Sequence, residues 1–166
     1  MLSQVVARIR SDQWRILRDV RLRALEDAPY AFGTTLSEGE QRTDRDWQDM
    51  ARDHANLSDR AYFMAYVGDN PCGMAGCYRR ASDVVVLTAM WVAPEFRGQN
   101  IGEQIVSAVI EWAREGGATT LEAWVSENNL ARFFYQKIGF EETSLTEPLR
   151  SDSKIQIILL RRDIVA

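Results

Sequence analysis

The sequence predicts an α+β domain built on a mixed, mostly antiparallel sheet of about six to seven strands. Three observations predict it. Short alternating or apolar segments of strand length outnumber the stretches with a helical period. Two pairs of those segments are joined by turn-forming residues, Gly68-Asp69-Asn70-Pro71 and Pro148–Ser153, as hairpins are. Between the hairpins a strand, a helix and a strand follow in succession, which makes those two strands a parallel pair. No repeat, low-complexity tract or linker interrupts residues 1–166, so the chain reads as a single domain.

The elements follow in order. Gln4 to Ile9 alternates enough for an edge strand. Ser11 or Asp12 can cap a helix whose apolar face includes Ile16, Leu17, Val20 and Ala24, with Arg15, Arg18, Arg21 and Arg23 on its solvated side. That helix ends before Pro29, because the residue preceding a proline avoids the helical region. Ala28 to Glu38 is an apolar loop without a clear period. A second helix starts near Thr43, with Asp46 three residues on and Trp47 and Met50 facing inward. Ala61–Val67 and Cys72–Arg79 make the first hairpin. Val84–Val92 is almost wholly apolar, as a central strand covered on both faces must be. The next helix carries Ile101, Ile105, Ala108, Val109, Trp112 and Ala113 on one stripe and stops at Gly116-Gly117. Thr120–Val125 is the parallel partner strand. Asn128-Asn129 can cap a shorter helix with Ala131, Phe134, Tyr135 and Ile138 on one face, ended by Gly139. Phe140–Leu145 and Lys154–Leu160 form the last hairpin.

Bulk properties narrow the function. No apolar run approaches the ~18 residues of a membrane helix. The N-terminus lacks the basic-then-apolar order of a signal peptide, so a cytoplasmic location is expected and no membrane partner. A net charge of −4 gives no electrostatic reason to bind nucleic acid. Cys72 and Cys77 stand five apart in a strand, which points them to opposite faces and disfavours a disulfide or a shared metal. His54 is the only histidine and lies in a polar stretch, so neither a metal site nor a Ser-His-Asp triad is expected.

Two segments remain that can carry chemistry. Arg97-Gly98-Gln99-Asn100-Ile101-Gly102 joins a buried strand to a helix, where free backbone N–H groups and a partial positive charge suit a phosphate. It is neither a P-loop nor G-x-G-x-x-G. Gly98 and Gly102 let a ligand approach closely, and Asn100 tolerates a left-handed conformation. The second segment runs from Asn128 to Phe140, beyond the end of the parallel partner strand. Both therefore lie at the carboxyl edge of the parallel pair, where ligands of open sheets bind. Tyr135 falls on the apolar stripe of its helix, so its hydroxyl is carried inward and needs a partner.

Together these residues resemble a known family. Val92 to Gly102 is similar to the acetyl-CoA pyrophosphate motif of the GNAT N-acetyltransferase superfamily, and Asn128 to Phe140 is similar to the motif that follows it there. The order of elements from Gln4 to Leu160 matches as well. The resemblance implies a three-layer α/β/α arrangement around the mixed sheet. It implies acetyl-CoA as co-substrate, no metal, and direct transfer to a primary amine of a small molecule or peptide; it also admits a homodimer. The backbone of Met90, Trp91 and Val92 would pair with the pantetheine arm. N–H groups of Arg97, Gly98, Gln99, Asn100, Ile101 and Gly102 would hold the pyrophosphate, with the Arg97 side chain nearby. Asn128 would contact the cofactor arm, and Tyr135 would protonate the departing thiolate. Phe32 and Glu38 would contact the acceptor.

Three departures from the family pattern stand out. Asn100 replaces the usual middle glycine. The strand before Asn128 has its bulky residues shifted by one, which suggests a bulge or a local change of register there. No carboxylate lies in Val84–Val92 to serve as base, which leaves Glu122, Glu127 or a water relay. A non-catalytic acyl-CoA-binding or regulatory module on the same fold is the alternative reading.

Overall fold

A computed structural model describes residues 2–165. Its elements are β1 (Gln4–Arg8), α1 (Trp14–Asp27), α2 (Leu36–Glu40), α3 (Asp44–Asn56), β2 (Arg60–Val67), β3 (Asn70–Ala81), β4 (Val84–Val92), α4 (Ile101–Glu115), β5 (Thr120–Ser126), α5 (Ala131–Lys137), β6 (Glu141–Pro148) and β7 (Gln156–Asp163). The strands form one seven-stranded sheet in the order β1-β2-β3-β4-β5-β7-β6. Every pairing is antiparallel except that of β4 with β5, the pair the strand–helix–strand succession requires.

Period-two alternation builds the layers. Ala61, Phe63, Ala65 and Val67 of β2 enter a core shared with α4 and α5, while Tyr62 and Met64 enter a second core shared with α1 and α3. The sheet is thus covered on both faces, as the α/β/α expectation has it. The α4 side is wider than the predicted stripe, because Val106 and Ile110 are buried as well. On the other side Arg21 is not solvated. It stands one turn from both Leu17 and Leu25, so it is carried inward to 8% exposure, and its Nη1 donates to the Tyr62 hydroxyl at 2.9 Å.

Two of the sheet's four register shifts bear on the site and the cysteines. Ala65 pairs with Gly73 but Tyr66 pairs with Pro71, which leaves Cys72 as an extra residue in β3. The parity flips there, so Cys72 and Cys77 both enter the α4-side core rather than opposite faces. They remain free thiols. The second bulge is in β4. Met74 faces Trp91 and Gly76 faces Thr88, so Ala89 and Met90 oppose Ala75 alone, with Ala89 at φ 50. It turns Met90 and Val92 toward the α4 side and Trp91 toward α1. Neither the bulge nor the change of register expected in β5 is present: its pairing runs unbroken against both β4 and β7.

Several ends differ from expectation for local reasons. A 3-10 turn at Ser11–Gln13 precedes α1, and the Gln13 side chain accepts from the Arg10 N–H, so neither Ser11 nor Asp12 is the cap. Inside the segment read as a loop, Thr35 and Glu38 form a capping box that starts α2. Thr43 and Asp46 form the expected one for α3. At α5 the N-cap is Leu130 rather than Asn128 or Asn129, and Asn129 Oδ1 accepts from the Ala131 N–H at 2.9 Å in the turn before it.

Candidate active site

The parallel pairing of β4 with β5 covers only Val84–Leu87 against Thr120–Ala123. Beyond it β4 runs on to Val92 and β5 to Ser126, with β5 still paired to β7. The two strands therefore part at their carboxyl ends, and the edge of β4 from Thr88 to Val92 that faces β5 has no strand partner among the described residues, although the Val92 carbonyl accepts from the Arg97 side chain. Unpaired strand edges need hydrogen-bonding partners. Met90, Trp91 and Val92 lie on this edge.

The turn after β4 leads from the 3-10 segment Pro94–Phe96 into α4. Asn100 precedes the helix at φ 64 and ψ 13, the left-handed conformation that its side chain tolerates. No side chain caps α4 among the described residues, unlike α2 and α3. Its first intrahelical bond runs from Gln104 N to Asn100 O at 3.2 Å, so the N–H groups before Gln104 face outward for an anion. The two glycines act differently. Gly98 has φ +80 and nothing within 4 Å of a would-be Cβ, so conformation requires it. Gly102 sits in a tight space: a Cβ there would come 3.1 Å from Phe134 Cζ and 3.2 Å from Met90 Cε, so those side chains would have to give by a few tenths of an ångström. Arg97 does not point freely from the turn: its Nε donates to the Val92 carbonyl at 2.9 Å and its Nη2 to Asp27 Oδ2 at 2.7 Å. Gln99 is exposed and Ile101 is buried under the helix.

From the other side α5 packs on β5 and β6. Tyr135 is 5% exposed and sits in the same core cluster as Met90, Val92 and Val125 of the parting strands. Phe134 and Phe140 meet its ring edge-on at 5.4 and 5.2 Å. Burial alone raises its pKa well above the ordinary tyrosine value, so the hydroxyl stays protonated. That hydroxyl has no protein hydrogen-bond partner among the described residues and is not sealed from solvent. Asn128 lies in the exposed turn just before α5.

The remaining candidates separate. Glu122 is 3% exposed, and both of its oxygens are taken: Oε1 by Arg80 at 2.9 Å, Oε2 by Arg161 at 2.9 Å. Burial pushes its pKa up, but the hydrogen bonds from Arg80 and Arg161 outweigh this and hold it below the usual value. Glu127 is exposed, and its carbonyl accepts from Arg132 at 2.7 Å. Glu38 is an exposed member of the α2 capping box, its Oε1 accepting from the Thr35 hydroxyl at 2.9 Å. Phe32 is buried in the α1-side core while its carbonyl accepts from Arg150 at 2.8 Å. That bond, with Ser126 donating to the Tyr30 carbonyl, ties the segment after α1 to the ends of β5 and the β6–β7 turn. Burial pushes Cys77 up to about 12 and raises Cys72 too, so neither is a ready thiolate. Among the described residues no three His, Cys, Asp or Glu side chains gather as metal ligands do. Sequence reasoning missed Asp27, Arg80 and Arg161, whose partners are distant in sequence and carry no local signal.

The model of the acetyltransferase (GNAT) family matches residues 18–140 of this chain. The chain belongs to that family. Among GNAT relatives, an uncharacterized N-acetyltransferase of Methanocaldococcus jannaschii is 31% identical over 93 residues, which cover 52% of this chain and 41% of the relative. The ribosomal protein bS18-alanine N-acetyltransferase of Haemophilus influenzae is 34% identical over 73 residues, covering 44% and 49%. The chain thus spans less than half the length of either curated relative. In fold, it is similar to the PaiA N-acetyltransferase from Thermoplasma acidophilum in complex with coenzyme A: TM-score 0.76, 16% identity, covering 98% of this chain and 99% of that one. No helix among the described residues is long and apolar enough to cross a membrane.

Proposed function

We propose that the chain transfers an acetyl group from acetyl-CoA to a primary amine of a small molecule or peptide. The observation that carries this reading is the buried Tyr135 hydroxyl, protonated and without a protein partner, packed among the strands that part. That hydroxyl still reaches solvent, so it is open to pair with a ligand atom. The pantetheine arm takes the strand-free edge of Met90, Trp91 and Val92 as an added strand would, and the pyrophosphate takes the uncapped N–H groups from Gly98 to Gly102. The amine nitrogen attacks the thioester carbonyl, the C–N bond forms as the C–S bond breaks, and Tyr135 gives its proton to the leaving sulfur. Glu122 is committed to Arg80 and Arg161, so the ammonium proton passes to water, and water returns a proton to the Tyr135 phenolate. No acyl-enzyme is needed, in keeping with the buried, protonated thiols. A reducing cytoplasm suits those free cysteines.

Thiol release from acetyl-CoA across a panel of polyamines, aminoglycosides, amino acids and peptide N-termini tests the reaction. The name of the Haemophilus relative puts an alanine peptide in that panel. Tyr135→Phe is expected to lower kcat by about 10²-fold and to leave CoA affinity unchanged. Unchanged turnover at saturating acceptor would remove Tyr135 from its role. Tight CoA binding with silence across the panel would favour a non-catalytic acyl-CoA-binding module instead.

A further inference from the structure

Asp27 is the last residue of α1, and one of its oxygens collects two donors from far along the chain. Trp91 Nε1 donates to Oδ2 at 2.9 Å, and Arg97 Nη2 donates to the same atom at 2.7 Å. The hydrogen bond from Trp91, opposed by burial and aided by Arg97, lowers the pKa of Asp27, so the carboxylate is charged. Through Nε, the same guanidinium also holds the Val92 carbonyl at 2.9 Å, which closes the chain from Val92 to Arg97 into a staple. Inside the staple Phe96 N donates to the Ala93 carbonyl at 2.9 Å and Arg97 N to that of Pro94 at 3.3 Å. A second link runs alongside, from Arg23 of α1 to Glu95 at 3.0 Å. An arginine that is half-exposed could have stayed in water at no cost. Here it spends its donors on the end of a strand and the end of a helix.

We propose that Asp27 is a positioning residue for the CoA pyrophosphate. It fixes Arg97 against the Val92 carbonyl and so sets the direction in which the N–H groups from Gly98 to Gly102 leave the strand. Arg97 acts as a strut of the turn, and the phosphates are met by backbone. The proposal rests on the acetyl-CoA reading above. It gives Asp27 no contact with the donor and no part in the chemical step.

Calorimetric titration with CoA and with pantetheine, which lacks the phosphates, tests this on the wild type, Asp27→Asn, Arg97→Gln and the double variant. Asn keeps an acceptor for Trp91 and loses only the ion pair. The expected result is a loss of about fivefold in CoA affinity for either single variant. The double variant should lose no more than the singles, and pantetheine affinity should stay within about twofold throughout. Equal or tighter CoA binding by Asp27→Asn would overturn the proposal, since it would mean that Arg97 is freed to reach phosphate. Equal losses for CoA and pantetheine, or additive losses in the double variant, would overturn it too. A wild type that binds no CoA would sink the acetyl-CoA reading itself.

Discussion

At the scale of single residues, backbone conformation decides more than side-chain chemistry. Asn100 holds φ 64 at the mouth of α4, where a residue with an ordinary Cβ costs about 1–2 kcal/mol. Asn100→Gly is therefore expected to keep both stability and CoA affinity, while Asn100→Ala should lose about 1 kcal/mol in urea unfolding and bind CoA less tightly. If Ala matches Asn in both measurements, the torsion is not what selects this residue. The family's usual glycine and this asparagine are thus two answers to one steric demand. Ala89, at φ 50 with neither excuse, marks where β4 is re-aimed.

At the scale of elements, α3 separates two kinds of stabilisation. Its buried residues are Trp47 and Ala51, so one indole anchors the whole helix on the sheet. Trp47→Ala should cost about 3–5 kcal/mol, and Thr43→Ala, which removes half of the capping box, about 1 kcal/mol. Denaturant midpoints compare them; a cap worth as much as the tryptophan would mean that local structure, not packing, holds α3. The same contrast explains what could be read in advance. The α4 stripe and the β2–β3 hairpin were legible because period and turn residues repeat the same message several times over. α2 was not, since Leu36–Glu40 is too short for a period to emerge, although Thr35 and Glu38 spell the same box as Thr43 and Asp46. Bulges were harder still. A single inserted residue such as Cys72 leaves composition untouched, and the shifted pattern in β5 belongs to a strand of regular register. In the candidate site, the Arg97–Gly102 turn and the placement of Tyr135 in the core were readable from local pattern. The Asp27–Trp91–Arg97 contact was not, for it depends on how α1 lies against β4.

At the scale of the whole molecule, the single histidine makes the response to mild acid interpretable. Burial lowers the His54 pKa below its ordinary 6.5, against the hydrogen bond to the Met50 carbonyl, and Arg60 and Arg21 push the same way as burial. The unfolded chain takes up a proton at pH values where the folded chain resists it, so this contribution is intact above about pH 6.5 and declines as pH falls through that value. Urea unfolding between pH 7.5 and 5.5 should show stability falling toward acid, and His54→Asn should flatten the slope. A wild-type profile already flat there would refute the assignment.

The parting of β4 and β5 has one more consequence, for how the protein avoids sticking to itself. An open strand edge ordinarily invites a strand from another chain, and edge-to-edge polymerisation follows. The vacant stretch from Thr88 to Val92 is not at a rim. It lies in the middle of the sheet order, between β3 and β5, where a neighbouring chain would have to be threaded rather than laid alongside. The true rims are β1 and β6, and β6 is blunted by Glu141, Glu142, Glu147 and Pro148. That stretch of edge is thus protected by its position inside the sheet, and edge-to-edge pairing is left to the rims.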